Sequence, residues 1–264
     1  MRRIEESELI LNEEGGIYHL KLHPENIADT VILVGDQDRV GKISKHFDAI
    51  EYTGQNREFV THIGRIGSKR LSVVSTGIGT DNIDIVLNEL DALKNIDLHT
   101  RTVKGEHSKM RLIRLGTSGS LQDDIPVDSY VLSSHAIGFD GVLNFYDAVS
   151  AIEDKELPDE FIRQVDWPAD FTRPTIVASS TELLELLKDG CHVGMTATAN
   201  GFYGPQGREL RLKPRIPNLN ERLHDFEYKG LQINNFEMET SALLGLGKAL
   251  GHDCITVCAV IANR

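Results

Sequence analysis

Short runs of β-branched and aliphatic residues alternate with longer stretches of helical apolar spacing along most of this chain, and that alternation restricts the fold before composition is considered. TVILVGD (30–36) reads as a strand ending in a glycine and an acid, and DRVGKISKHF (38–47) as the helix that follows. EFVTHIGRIGSKRLSVVSTG (58–77) reads as a hairpin turning near GSK, its second strand RLSVVST rich in β-branched residues. TDNIDIVLNELDAL (80–93) sets Ile83, Val86, Leu87, Leu90 and Leu93 at helical spacing, with Asp81 or Asn82 as a cap. MRLIRLGTSGS (110–120) reads as a strand running into a Gly/Ser/Thr turn. SYVLSSHAIG (129–138), CHVGMTATA (191–199) and the late ITVCAVIA are further strands, and ELLELLKDG (182–190) and ETSALLGLGKALG (239–251) are helices closed by glycine. Strands alternating with helices imply an α/β domain around a largely buried central sheet, with ligands gathering where strands end in loops.

At 264 residues the chain is long enough to bury a full core, as one large domain or two small ones, and no repeat, low-complexity tract or Pro/Ser-rich linker interrupts it. Its 40% hydrophobic and 26% charged residues are those of a soluble globular protein. No apolar run approaches the roughly 18 residues of a membrane span. The opening MRRIEESELILNEEGG lacks the apolar core of a signal peptide. Cys191, Cys254 and Cys258 are too few, and odd in number, for a disulfide framework, and the last two read as core residues of a strand. A cytoplasmic location is expected. The formal net charge of −12 argues against broad nucleic-acid binding, yet permits a local arginine cluster that holds an anion. Because the chain stops at IANR, directly after a strand that should be covered, further C-terminal residues are expected to belong to the protein.

Three arginines lie at strand ends. VGDQDR places Gly35 and Arg39 at the first strand-to-helix turn, IRLGTSG places Arg114 before Thr117, Ser118 and Gly119, and NREF places Arg57 at the start of a strand. Glycines let backbone N–H groups approach an anion, and Arg and Thr add further donors. One such element is ordinarily a solvated charge; several together point to phosphate. Neither GxGxxG nor GxxxxGK[ST] occurs, so the anion is a small free phosphate rather than a nucleotide tail. NNFEMETSALL (234–244) flanks Met238 with Glu237 and Glu239. These carboxylates suit a helix start, and equally suit sugar hydroxyls above an apolar floor. GFYGPQGRE (201–209) is either an ordinary surface turn or a rigid loop that stacks on a flat ligand and reads its polar edge. His135 and His224 read as structural or solvated, no histidine pair shows zinc-ligand spacing with a third partner, and no GxSxG elbow occurs.

In order and content, VGDQDR, NREF, STGIGT, IRLGTSG, GFYGPQGR, FEMET and the terminal VIANR resemble the nucleoside phosphorylase family, within it the uridine phosphorylases, from GIYHLKL to Arg264. The resemblance implies a single α/β domain over 1–264 with a central mixed, partly barrel-like sheet flanked by helices. It implies a phosphate site of Gly35, Arg39, Arg114 and Thr117, joined by Arg57 of a neighbouring subunit. It assigns ribose to Glu237, Met238 and Glu239, with His19 from the neighbour, and the base to Gly119, Phe202, Gln206, Arg208 and Ile261, supported by Arg264. The catalytic residues would be Arg208, Gln206 and Arg114, acting on uridine and inorganic phosphate in a dimer-based homo-oligomer, a hexamer, with no nucleic-acid or membrane partner.

Uracil's edge runs acceptor, donor, acceptor, which a Gln amide can pair, while an Arg stabilises the base as it leaves as an anion. Purine-specific relatives place an aspartate after the last core strand; here Ala262 and Asn263 stand there, and pyrimidine is favoured. No metal ligand set and no organic cofactor is implied. The family's monovalent cation at the dimer interface is not carried over, because TGIGTDNID departs from TGIGGPS, although Glu58 remains available to such a site. HTRTVKGEHSKM (99–110) is longer than the usual connection and has no assigned role. The rival readings are a purine-preferring phosphorylase, a nucleosidase, against which the phosphate arginines argue, and a non-catalytic nucleoside-binding module.

Overall fold

The computed structural model describes residues 2–264. The chain divides into two compact units, one made of residues up to Ile78 with Asn82–Ile113 and Leu250–His252, the other of Gly79–Asp81, Arg114–Ala249 and Asp253–Arg264.

In the first unit β1 (Thr30–Val34) leads into α1 (Gln37–Ser44), where the Asp36 side chain caps the helix by accepting the Asp38 N–H. Next come β2 (Ala49–Asn56), β3 (Phe59–Ile66), β4 (Lys69–Ser75), α2 (Thr80–Asn95), β5 (Ile96–Asp97) and β6 (Thr102–Val103). The sheet order is β1-β4-β3-β2; β1 runs parallel to β4, with Thr30 opposite Leu71, and the other pairs are antiparallel. Ile83, Val86, Leu87, Leu90 and Leu93 are all fully buried, as the helical spacing of α2 demands. The edge strand β2 had no sequence signature, because AIEYTGQN exposes residues on both faces and shows no apolar alternation. Arg57 does not begin a strand. It occupies the turn between β2 and β3 with φ 54°, a left-handed conformation uncommon for a residue with a Cβ.

The second unit holds β7 (Arg111–Ser120, from Arg114 onward), β8 (Tyr130–Gly138), α3 (Val149–Ile152), α4 (Leu157–Val165), β9 (Thr175–Ala178), α5 (Thr181–Leu187) and β10 (His192–Thr198). After these come α6 (Leu219–His224), β11 (Glu227–Tyr228), β12 (Leu231–Glu237), α7 (Thr240–Ala249) and β13 (Asp253–Asn263). Its strands follow the order β11-β12-β10-β8-β13-β7, and β12 also pairs with β7, Phe236 opposite Gly119. That extra pairing closes β12, β10, β8, β13 and β7 into a ring, the partly barrel-like mixed sheet of an α/β fold. β10 lies parallel to β8 and β12, while β13 is antiparallel to β8. Phe139, Phe161, Trp167, Phe226 and Phe236 pack into an aromatic core cluster in this unit.

GTSGS proves to be strand rather than turn, since β7 continues unbroken to Ser120. The small residues there serve close packing. A Cβ on Gly116 would collide with the Arg114 guanidinium, and one on Gly119 would lie 2.8 Å from Cδ of Arg264.

Candidate active site

Arg114 points inward from β7 and is almost wholly buried. Its Nη2 donates to Glu239, its Nη1 lies 3.2 Å from Glu237 Oε2, and the same Nη1 donates to Cys258 Sγ at 3.8 Å. Burial pulls the guanidinium down, but the Glu239 and Glu237 charges outweigh it and hold Arg114 well above its ordinary value. Burial pushes the Glu237 carboxyl up against the pull of Arg114, and pushes the Cys258 thiol up to about 12, so it stays protonated.

Glu237 has little capacity left. Thr198 Oγ1 donates to its Oε1 at 2.6 Å, and the N–H groups of Glu239 and Thr240, opening α7, donate to its carboxylate at 2.9 and 3.0 Å. The helix-start reading of this acid is therefore realised in the structure. Glu239 keeps Oε1 for the Gly79 N–H at 2.9 Å, and Met238 is half-buried between the two acids. Thr198 and Gly79 carry little signal in the sequence: Gly79 lies within STGIGT, whereas TATA is indistinguishable from any buried strand.

The 201–209 loop is rigid for local reasons. A 3₁₀ turn spans Gly204–Gln206 and ends on Gly207, whose φ of 71° favours glycine. Backbone N–H groups of Gln206 and Arg208 both donate to the Tyr203 carbonyl, at 3.0 and 2.9 Å. Phe202 and Tyr203 are exposed and meet edge to face, and the Arg208 guanidinium sits 3.8 Å above the Phe202 ring. Gln206 is buried. Its Oε1 accepts from Arg208 Nη1 at 2.6 Å and from Arg264 Nη1 at 3.3 Å, while Arg264 Nη2 donates to its carbonyl at 2.7 Å. With Oε1 turned toward two cations, the amide has its Nε2 donors to present. Burial lowers Arg208, and burial together with the Arg208 charge brings Arg264 down to about 10, so Arg264 is charged at neutral pH. Arg264 passes over Gly119 and anchors its own N–H on Ser120 O at 3.0 Å, which explains the glycine in β7. Ile261 lies exposed on β13 and Thr117 exposed on β7.

In the first unit, Arg39 stands in the opening turn of α1 with its Nη2 beside Gly35, 3.4 Å from where a Cβ of that residue would sit. The exposed Arg57 has its guanidinium 5.9 Å from the Tyr18 ring. His19 is anchored by Glu89, whose Oε1 accepts from its backbone N–H at 2.9 Å and pairs with Nδ1 at 2.7 Å. That leaves the Nε2 of His19 for another partner.

Asp91, His107 and His252 form a possible metal-binding group in the same unit, with ligand atoms within 4.8 Å of one another, which the histidine spacings had not suggested. The hydrogen bonds argue for a different use. The Met110 N–H donates to His252 Nδ1 at 3.3 Å, which puts that ring's proton on Nε2, 3.2 Å from Asp91 Oδ1. His107 Nε2 meets the Leu250 carbonyl at 2.8 Å, and Asn95 Oδ1 accepts the Ser108 N–H at 2.7 Å. Together these contacts clasp the 99–110 stretch, and the His252 lone pair a cation would need is already engaged. Glu58 accepts from Asn82 at 3.3 Å.

Residues 29–264 match the family model described as the Phosphorylase superfamily, and the chain belongs to that family. It is 30% identical over 252 residues to the uridine phosphorylase of Thermococcus kodakarensis, covering 96% of this chain and 79% of that one. Identity to the uridine phosphorylase of Treponema pallidum is also 30%, over 94% of this chain and 82% of the relative. Among solved structures, a Trypanosoma brucei nucleoside phosphorylase described as showing uridine phosphorylase activity superposes with a TM-score of 0.87 at 31% identity, covering 97% of this chain and 90% of that one.

Proposed function

We propose that this protein is a pentosyltransferase that cleaves uridine with inorganic phosphate to uracil and ribose 1-phosphate, in cytoplasmic pyrimidine nucleoside salvage. The observation that carries the reading is the base loop: a buried Gln206 amide held by Arg208 and Arg264 beside an exposed Phe202 ring. Flat uracil stacks on Phe202, and Gln206 Nε2 donates to a base carbonyl. As the glycosidic bond breaks, negative charge gathers on the base oxygens, and Arg208 faces that charge most strongly in the transition state. A purine leaving group needs a proton on its imidazole ring, and Ala262 and Asn263 offer no acid.

The ribose falls to Glu239 and Met238, with Glu237 holding Glu239 in place and His19 supplied by a neighbouring copy. Phosphate falls to Gly35, Arg39, Arg114 and Thr117, with Arg57 from the neighbour; Arg114 also orients Glu239. Ile261 and Gly119 complete the base contacts. The reading includes a dimer-based homo-oligomer, a hexamer, and no organic cofactor. The similarity to uridine phosphorylases over most of the chain supports it.

Uracil release from uridine, measured with and without inorganic phosphate and with inosine alongside, tests the proposal. Phosphate-dependent release from uridine alone is expected. Release without phosphate would make the protein a nucleosidase, and preference for inosine would overturn the pyrimidine assignment.

A further inference from the structure

The second unit contains a cavity of about 740 Å³ beside the base loop, within the size range of small-molecule sites. Phe139, Trp167, Phe171 and Ile216 form apolar walls, and among the described residues no carboxylate lines it. Trp167 donates its ring N–H to the Thr172 carbonyl at 3.0 Å, so its polar atom is satisfied within the protein, and its ring centroid lies 4.6 Å from that of Phe139.

The charge around this cavity runs against that of the whole chain. Arg208, Arg211, Lys213 and Arg215 all border it, in a protein of net charge −12. Arg215 alone among these has an acid, Asp170 at 2.6 Å, while its guanidinium lies 4.9 Å from the Phe171 ring. The stretch ELRLKPRI (209–216) that carries most of these cations forms neither helix nor strand, and it leaves Leu210 and Leu212 72% and 85% exposed. Two large apolar side chains exposed beside unneutralised cations suit an occupant that brings both apolar surface and negative charge.

We propose that this cavity binds a small aromatic monoanion, its ring against Trp167 and Phe171 and its acidic group toward Arg211 and Lys213. Tyr203, Gly204 and Pro205 belong both to the cavity wall and to the base loop, so occupancy would raise the KM for uridine. Only that coupling rests on the function proposed above; the binding itself is read without any nucleoside.

Trp167 is the only tryptophan in the chain and supplies the signal. The probe is 8-anilinonaphthalene-1-sulfonate, with uncharged N-phenyl-1-naphthylamine as its control, titrated while Trp167 emission and energy transfer to the probe are followed. One saturable site is expected, with the uncharged control binding about tenfold more weakly and R211Q/K213Q losing about tenfold in affinity for the anion, the scale of one charge-assisted contact. Both substituted residues are exposed, and an unchanged melting temperature of the double variant shows that its fold is intact. Absence of saturable Trp167 quenching would overturn the proposal. Equal affinity for the uncharged control would overturn the anion assignment, and quenching that grows with protein concentration alone would mean that a second copy fills the cavity. If uridine is not a substrate but the titration saturates as described, the site stands and only the coupling falls.

Discussion

The base loop and the Arg114 cluster both hold guanidinium groups in place, one at the surface and one out of water. Arg208 rests on an exposed ring and binds groups within six residues of itself, Phe202 O and Gln206 Oε1. Arg114 is buried, and its partners Glu237, Glu239 and Cys258 come from β12, the β12–α7 junction and β13. The difference lies in what happens when a partner is lost. Near the surface, water replaces a missing contact at little cost. In the interior an uncompensated charge has no substitute, so the cluster must stay complete to exist at all. The loop is therefore free to spend its polarity on a ligand, whereas the cluster spends most of its own on holding itself together.

Breaking the buried side should have the largest effect. Glu239→Ala, which strands Arg114, is expected to lower unfolding stability by about 3–5 kcal/mol in a urea titration. A loss under about 1 kcal/mol would mean that Glu237 alone satisfies the arginine and that the buried cluster tolerates a missing partner as the loop does. On the loop side, Arg208→Ala should cut kcat for phosphorolysis by about two to three powers of ten, while stability shifts by no more than about 0.5 kcal/mol. A variant that melts early instead would make Arg208 a structural residue. The smallest effect concerns His135 on β8, whose pKa burial lowers. Its folded state favours the neutral ring, so the unfolded chain takes up more protons as pH falls through the ordinary value of 6.5. Stability should thus be full above that value and decline below it, and His135→Asn should flatten the decline. An unchanged slope would assign the acid sensitivity to other groups.

Much of the fold was legible because it is local. The β3–β4 hairpin, the apolar face of α2 and the strand β10 announce themselves by period and β-branching. β2 and β9 did not, the first because it is polar on both faces and the second because Thr175–Ala178 is only four residues long. GTSGS looked like a turn because small residues ordinarily mark one. In β7 they instead make room for Arg114 and Arg264, whose positions depend on chain far away in sequence. The candidate site divides in the same way. Gln206 and Arg208 stood out in a turn-rich loop, but nothing local indicated that Gln206 turns its carbonyl oxygen to Arg208 and Arg264, or that Glu237 fastens the start of α7.

By itself, the sequence determined the α/β class, the helical and strand periods, the residue types of the base loop and the non-acidic pair Ala262 and Asn263, which the structure places at the end of β13 rather than after it. Those properties depend on neighbours a few positions apart. Only the tertiary structure decided that Glu237 and Glu239 are committed to Arg114, that Gln206 Oε1 is taken by Arg208 and Arg264, and that Asp91, His107 and His252 clasp the 99–110 stretch. Burial and hydrogen-bond saturation are set where distant strands meet, and a buried polar group takes whatever partner the packing leaves within reach.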